Sequence, residues 1–453
     1  MKLAIVVQRY GPDINGGAEL HARYVAEHLA RHADVCVLTT CARDYVTWRN
    51  ELPAGTDRVN GIQISRFPVA RPRSPHAFAR HSDRVFEQPH SIADELAWLD
   101  AEGPATPALV RHLKARQHEY DYFIFFSYRY YHAYHGIRAV ASKALLVPTA
   151  ERDPAIGLGL FPPIFRGARA IMYNSPEERA MIRSVAANQG VPGVVVGIGS
   201  EVPDRLSPER FRRKFRLHSR FAIYVGRIDE NKGCRELFEF FQRYAARTPG
   251  DLTLALVGTS ILPVPPHPRI RHLGFVSDQD KFDAMAAADV LIMPSFYESL
   301  SMVALEAWAL GRPVLANGRC DVLRGQCLRS NAGLYYENYD EFAAALLRLG
   351  EDRDLAAALG ANGREFFCRH YSWPVIEGKY LDMLQRLQDE DADADRRKAG
   401  GGRRNGAREE GRGERLPGWF ARRRRTLPPA REVMEALPQG PAVSRESRVA
   451  SRE

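Results

Sequence analysis

The sequence predicts an α/β protein of two doubly wound domains that face a cleft, followed by a disordered C-terminal tail. Its 453 residues are more than one hydrophobic core usually supports, so at least two domains are expected. Continuous apolar runs alternate with helical patterns, which is typical of parallel strands covered on both faces. This alternation starts at Lys2 and starts again at Phe221, so each half of the chain should form its own sheet.

The first series of elements starts with a buried strand, "KLAIVVQ", and a helix from about Gly17 to Arg31. Further strands of the same sheet are predicted at "DVCVLTT", "IQISRFPV", "DYFIFFS", "KALLVPT", "RAIMYNS" and "GVVVGIG". The segment from Arg71 to Pro107 interrupts this series because it is rich in Pro, His and Arg. We interpret it as an insertion with helices of its own.

The second series follows a polar stretch around residues 199–215, which predicts a hinge. Its strands are expected at "FAIYVG", "LTLALVG", "IRHLGFVS", "DVLIMPS" and "PVLAN". Ligands bind at the carboxyl ends of strands in open α/β sheets, so the site should draw on both halves. The predicted boundaries are residues 1–200 for the N-terminal domain, 201–370 for the C-terminal domain, 371–390 for a helix packing back toward the N-terminal domain, and 391–453 for the tail.

Composition and charge argue against several classes of protein. The first apolar run ends before Gln8, too short for a signal peptide, and no stretch reaches the roughly 18 apolar residues of a membrane span. The six cysteines lack metal-ligand spacing, as expected for reduced cytosolic thiols. Residues 391–453 carry 16 Lys and Arg against 10 Asp and Glu, which leaves 48 against 45 for residues 1–390. We therefore expect a cytoplasmic protein that binds no metal and no nucleic acid.

The tail has few aliphatic residues and many Arg, Gly and Glu, so it should not fold alone. Its segment from Arg422 to Arg425, preceded by Trp419 and Phe420, has two interpretations. It contacts anionic lipid headgroups at the inner face of the membrane, or it is simply solvated.

Two glycine-containing turns are candidate anion sites. In "YVGRIDENKG", Arg227 and Lys232 lie between a strand and a helix, where backbone N–H groups and two fixed charges suit a diphosphate. The alternative is that both are solvated loop cations. In "QRYGPDINGGAEL", Gly16 and Gly17 open a helix after the first strand, where glycine permits positive φ and close approach of a ligand. A Gly-Gly pair alone more often marks only a turn.

Two carboxylates interrupt the apolar stretch "YESLSMVALEAWALGRPVLAN". Glu298 lies at the mouth of the predicted helix and Glu306 about two turns inside it. Carboxylates can bind sugar diols through paired hydrogen bonds. The backbone N–H groups at the helix start, those of Ser299, Leu300, Ser301 and Met302, would be free donors. The alternative is that Glu298 only complements the helix dipole and that Glu306 is an exposed helix residue.

Together these motifs resemble the retaining GT-B glycosyltransferases called group one or family four. The resemblance covers roughly residues 1–388 and is most specific in "GRIDENKG", "HLGFVSDQDKFDAMAAADVLIMPS" and "ESLSMVALEAWALGRPVLAN". The interval from Glu298 to Glu306 matches the Glu-x7-Glu motif of that family. It implies an acceptor-side N-terminal domain and a C-terminal domain that binds the nucleotide-sugar donor.

The resemblance also implies roles for individual residues. Glu298 would hold donor-sugar hydroxyls and Glu306 the nucleotide ribose, while Arg227 and Lys232 would neutralise the leaving diphosphate. The loop at Phe275 and Val276 would lie against the base. The remaining donor-binding residues that the resemblance implies are Gly16, Gly17, Ser299, Leu300, Ser301 and Met302.

Two departures from the family pattern concern the sugar pocket. Many members have Phe-Gly after the first Glu, where this chain has Ser299 and Leu300. Many also have a donor-contacting His after the strand "LLVPTA", where this chain has Glu151, a candidate polar contact. The aromatic cluster from Tyr128 to His135 either lines an acceptor pocket or packs at a strand end, and we favour packing.

The implied activity is a retaining, metal-independent hexosyltransferase. It would move a hexose from a nucleotide-diphosphate sugar to a hydroxyl of a glycan or lipid-linked acceptor in polysaccharide or glycan assembly. The nucleotide sugar is a co-substrate, and no other cofactor is implied. A sugar-nucleotide epimerase of the same fold and a non-catalytic nucleotide-sugar-binding protein stay open as alternatives.

Overall fold

The computed structural model describes residues 1–14, 16–400 and 426–438, with side chains through Arg397 and again from Thr426. The described residues form two compact units. The first contains residues 1–174, 181–196 and 376–438, and the second contains residues 175–180 and 197–375.

The first unit is built on an eight-stranded sheet. Its strands are β1 (Lys2–Val6), β2 (Asp34–Thr40), β3 (Gly55–Val59), β4 (Ile62–Phe67), β5 (Tyr122–Phe126), β6 (Ala144–Val147), β7 (Ala170–Tyr173) and β8 (Gly193–Val195). They lie in the order β3-β4-β2-β1-β5-β6-β7-β8 and are parallel except for β3, which pairs antiparallel with β4. Every strand predicted for this half is present, and the predicted parallel arrangement is confirmed. The unpredicted strand, β3, is polar and largely exposed, so it lacks a hydrophobic signal.

Helices follow the strands of this unit. They are α1 (Gly17–Leu29), α2 (Pro75–Glu87), α3 (Ile92–Glu102), α4 (Pro107–Arg116), α5 (Tyr131–Ala139), α6 (Pro162–Gly167) and α7 (Pro176–Ala186), the last with residues in both units. The predicted insertion does form helices, because α2 and α3 lie within it. Ser91 and Asp94 exchange reciprocal hydrogen bonds at the start of α3, and this capping box fixes where the helix begins.

The second unit is built on a six-stranded parallel sheet. Its strands are β9 (Phe221–Val225), β10 (Thr253–Val257), β11 (Ile270–Gly274), β12 (Val290–Met293), β13 (Val314–Asn317) and β14 (Gly333–Tyr336), in the order β11-β10-β9-β12-β13-β14. Its helices are α8 (Pro208–Phe215), α9 (Cys234–Arg247), α10 (Asp278–Ala287), α11 (Met302–Ala309), α12 (Asp321–Ser330), α13 (Tyr339–Glu351) and α14 (Arg353–His370). The sequence predicted each of these strands except the short edge strand β14. Side chains of α9, α13 and the sheet form one buried core.

The C-terminal part of the chain differs from the disordered tail predicted for residues 391–453. Helix α15 runs from Trp373 to Gly400, and a further helix, α16, spans Ala430–Glu435. Helix α16 packs closely against the rest of the first unit, where a Cβ at Gly157 would lie 2.2 Å from the Ala430 carbonyl oxygen. Residues 391–400 and 426–438 therefore differ from that prediction, because the first continue helix α15 and the second contain helix α16. The segment from Trp419 to Arg425 lies outside the described residues.

Within the described ranges, no helix combines the length and the apolar character needed to cross a lipid bilayer. All six cysteines are free thiols, and only Cys368 is exposed.

Candidate functional site

The turn between β9 and α9 carries Arg227 and Lys232, and a glycine determines where it lies. Gly233 has a φ of +71°, and a Cβ there would be 2.1 Å from the Pro294 carbonyl oxygen. Only glycine adopts this left-handed conformation without strain and leaves room for such an approach. The start of α9 is thereby held against the chain that follows β12, where Glu298 lies.

Asp229, which the sequence analysis did not single out, organises this turn. Its carboxylate is buried, accepts a hydrogen bond from the Arg227 guanidinium, and accepts another from the Lys232 backbone N–H at 2.8 Å. One buried acid thus fixes both the guanidinium and the backbone of the second cation. The signal in the sequence is an acid two residues after Arg227, inside a turn expected to bind an anion.

Lys232 and Glu298 form a direct ion pair. Lys232 Nζ lies 2.8 Å from Glu298 Oε1, and the Glu298 side chain is 11% exposed. The alternative in which Lys232 is a solvated loop cation is therefore wrong. Two residues that are 66 positions apart in the sequence, and that were both predicted for the same site, lie in contact.

The chain after Glu298 corrects one sequence prediction. Helix α11 begins at Met302, and the Ser301 side chain caps it by accepting a hydrogen bond from the Ala304 N–H at 3.2 Å. The Ser301 N–H donates to Gln326 Oε1 at 3.4 Å, so it is not the free helix-start donor that we expected. Ser299 and Leu300 are buried ahead of the helix rather than inside it.

Glu306 is buried, so the alternative of an exposed helix residue is wrong. Its side chain is 4% exposed, and Lys281 Nζ lies 2.9 Å from its Oε1. Its Oε2 and the Ser200 hydroxyl are both buried without a hydrogen bond of ordinary geometry to a described residue. Burial raises the pKa of Glu306, and Lys281 and then Ser200 oppose that rise only in part. Glu306 thus presents one paired and one open oxygen.

Lys281 is a second residue that the sequence analysis missed. It comes from α10, 25 residues before Glu306, and its side chain is 18% exposed. The available signal was a lone lysine in the apolar stretch "KFDAMAAA", directly before the strand that leads to Glu298.

The predicted base-contacting loop follows β11. Phe275 is 68% exposed and Val276 is half-buried. A phenyl ring this exposed contributes little to the hydrophobic core and has a face available for stacking.

The predicted residues of the first unit lie at the carboxyl ends of its strands. Gly16 has a φ of −68°, so it does not use the positive φ that glycine permits. A Cβ at Gly16 would lie 2.2 Å from Glu19 Oε2, so the glycine instead makes room for a buried carboxylate. Glu19 pairs with Arg9 at 2.7 Å. Gly17 has open space around its Cα.

Glu151 follows β6 and is half-buried. Two residues further, Asp153 Oδ2 accepts a hydrogen bond from Arg129 at 2.6 Å. In the aromatic cluster, Tyr128 and His132 are buried, and burial lowers the pKa of His132 to about 4. The packing interpretation of the cluster is confirmed for these two side chains.

Comparisons with known proteins agree with this geometry. Residues 219–352 match a family model described as glycosyl transferases group 1. An uncharacterized glycosyltransferase from Methanocaldococcus jannaschii is 22% identical over 85% of this chain and 98% of its own length. Other curated relatives, with higher identity, match over only about half of their own length.

Solved structures share the fold at low sequence identity. Sucrose-phosphate synthase from Thermosynechococcus elongatus superposes with a TM-score of 0.66 at 19% identity, over 86% of this chain and 99% of that protein. Anabaena HepE, crystallised with UDP-glucose, gives a TM-score of 0.61 at 17% identity, over 85% and 100% of the two chains. The matched family model, the shared GT-B fold and the Glu298 to Glu306 motif support a glycosyltransferase similar to those of group 1.

Proposed function

We propose that this chain is a retaining hexosyltransferase that works without a metal ion. It moves a hexose from a nucleotide-diphosphate sugar to a hydroxyl of a glycan or lipid-linked acceptor, in polysaccharide or glycan assembly. The observation that carries the proposal is the 2.8 Å pair of Lys232 and Glu298 beside the Arg227 turn. It joins a carboxylate suited to sugar hydroxyls to a cation suited to the departing phosphate.

Charge development in the transition state explains why these cations matter. As the bond from the anomeric carbon to the diphosphate breaks, negative charge collects on the phosphate oxygens. Arg227 is held by Asp229 and Lys232 by Glu298, so both charges are positioned before the reaction starts. Fixed charges stabilise a transition state without a cost of reorganisation. The leaving phosphate itself would take the acceptor proton.

The nucleotide half of the donor is assigned to Glu306. A ribose diol offers two O–H donors, and the buried Glu306 Oε2 accepts no hydrogen bond of ordinary geometry from the described residues, although the Ser200 hydroxyl lies nearby. The exposed Phe275 ring would stack on the base. A carboxylate whose pKa burial raises gains most from hydroxyl donors, since they stabilise its charged form.

Nucleotide release tests the proposal. Purified protein is incubated with UDP-, GDP- and ADP-sugars without added metal, beside a Glu298→Gln variant and a Glu337→Gln control at an exposed position outside the site. Slow release from one donor should be lost in Glu298→Gln and kept in Glu337→Gln. Undiminished release from Glu298→Gln would refute the site, and formation of an altered sugar nucleotide without acceptor would identify an epimerase.

A further inference from the structure

A separate pocket lies in the first unit, within the inserted segment between β4 and α4. Its volume is about 310 Å³, near the lower end of the range for small-ligand sites. Its wall comes from the chain that enters α2 and from α3. The polar and aromatic residues that line it are Trp48, Arg71, Arg73, Ser74, His81 and Asp100.

The charged side chains of this pocket largely balance one another. Arg73 pairs with Glu102 at 2.7 Å, so its charge is compensated inside the protein. Asp100 is largely exposed, partial burial raises its pKa, and the positive charge of Arg71 opposes that rise. A pocket with compensated charges offers little net attraction for a phosphate. It does offer guanidinium donors and a carboxylate acceptor, the groups that bind sugar hydroxyls.

Trp48 gives the pocket a rigid floor. Its indole Nε1 donates to the Glu102 carbonyl oxygen at 2.7 Å, and the Arg73 guanidinium lies 5.0 Å from its ring centre. Arg9 lies 6.0 Å from the same ring and pairs with Glu19. A side chain held by this many contacts loses little further entropy when a ligand binds.

These contacts connect the pocket to the carboxyl end of β1. Arg9 follows β1, and its partner Glu19 packs against Gly16, the predicted site residue. Arg9 therefore lies between the pocket and the edge of the sheet where ligands of such folds bind.

We propose that this pocket binds an uncharged saccharide unit of the acceptor through hydrogen bonds from its hydroxyls to Arg71, His81 and Asp100. This inference rests on the proposed function, because it assigns the acceptor class of the same enzyme. A hexose ring has several hydroxyls that both donate and accept, so Arg71 would donate to them and Asp100 accept from them.

Saturation-transfer NMR on the full chain tests the inference, with methyl glycosides of glucose, mannose and galactose, and with glucose 6-phosphate, as probes. Wild-type protein should bind at least one glycoside at millimolar concentration. Arg71→Gln and Asp100→Asn should each weaken that binding about tenfold or more, as expected for the loss of a charge-assisted hydrogen bond. Arg80→Gln, an exposed position of α2 outside the pocket, is the matched control and should bind as wild type does.

Three outcomes would overturn the inference. The first is that no glycoside binds to the wild-type protein. The second is that Arg71→Gln and Asp100→Asn both bind like the control, with melting temperatures showing that both variants are folded. The third is that only a hexose 6-phosphate binds, with dependence on Arg71 but not on Asp100, which would make the pocket an anion site. Failure of the proposed function is separate, because nucleotide release depends on Glu298 and this binding assay needs no donor.

Discussion

Replacing Lys281 by methionine should reveal how much the second unit depends on the buried pair with Glu306. Methionine keeps most of the length of the side chain and removes its charge. Glu306 is then left as a buried carboxylate with neither oxygen paired to a cation. Breaking a fully buried ion pair in this way costs about 3 to 5 kcal/mol. Lys281 is 18% exposed and Ser200 lies nearby, so we expect about 2 to 3 kcal/mol near pH 8.

The loss should depend on pH, and its sign follows from the raised pKa of Glu306. A carboxyl whose pKa is higher in the folded state destabilises the fold once it must ionise there. Wild-type stability therefore declines as pH rises from the unfolded pKa through the folded pKa. Removing Lys281 raises the folded pKa further, so Lys281→Met should cost little near pH 4.5 and its full amount near pH 8.

The assay is urea unfolding followed by tryptophan fluorescence, because buried Trp308 lies on the same helix as Glu306. The double variant Lys281→Met/Glu306→Gln is the matched control, since a neutral amide removes the uncompensated charge. It should recover most of the stability lost at pH 8. Equal losses at both pH values, or a double variant no more stable than Lys281→Met, would refute this account of the pair.

Two further changes test other parts of the fold. Gly233→Ala should cost more than about 2 kcal/mol and lower the melting temperature of the second unit, because the new methyl group meets the Pro294 carbonyl oxygen at a positive φ; a wild-type melting temperature would contradict this close packing. Burial lowers the pKa of His90, but hydrogen bonds to Glu95 and a backbone carbonyl outweigh it and raise the pKa overall. The stabilisation is therefore complete below about pH 6.5 and is lost as pH rises through the raised pKa. His90→Gln should abolish that part of the pH dependence of thermal unfolding, and an unchanged dependence would exclude His90 as its source.

The sequence predicted strands wherever burial is complete on both faces. In β9 and β10 every residue is buried, so the apolar runs are continuous and easy to recognise. β3 escaped prediction because its residues face solvent and its stability comes from pairing with β4. Pairing through the backbone leaves no pattern in the side chains.

Composition alone also did not predict that the C-terminal segment packs against the rest of the protein. Residues 426–438 include six apolar residues within an otherwise polar tail, and Ala430 is fully buried against Gly157. The contact depends on the absence of a side chain at Gly157, which a count of hydrophobic residues does not register. Composition therefore missed the short part of the tail that has a complementary surface.

In the candidate site, spacing predicted the carboxylates but not the groups that hold them. Glu298 and Glu306 are separated by a fixed interval on one stretch of chain, so the sequence shows them directly. Asp229 contacts the lysine that pairs with the first carboxylate, and Lys281 contacts the second carboxylate directly. Only the fold brings these distant side chains into contact. Contacts between distant segments follow from topology and are not encoded as local periodicity.

The geometry of Glu306 suggests why a costly buried charge is kept at this position. Lys281 occupies one oxygen and so lowers the cost of ionisation, while the other oxygen stays buried without a strong donor. If Lys281 paired with both oxygens, the unit would be more stable and the carboxylate would have nothing left to offer a ligand. With one oxygen open, part of the desolvation cost persists in the free protein and is offset when two hydroxyls bind. Under the proposed function, stability would be traded for ribose affinity at one atom, Glu306 Oε2, and Lys281 would limit how much stability is lost.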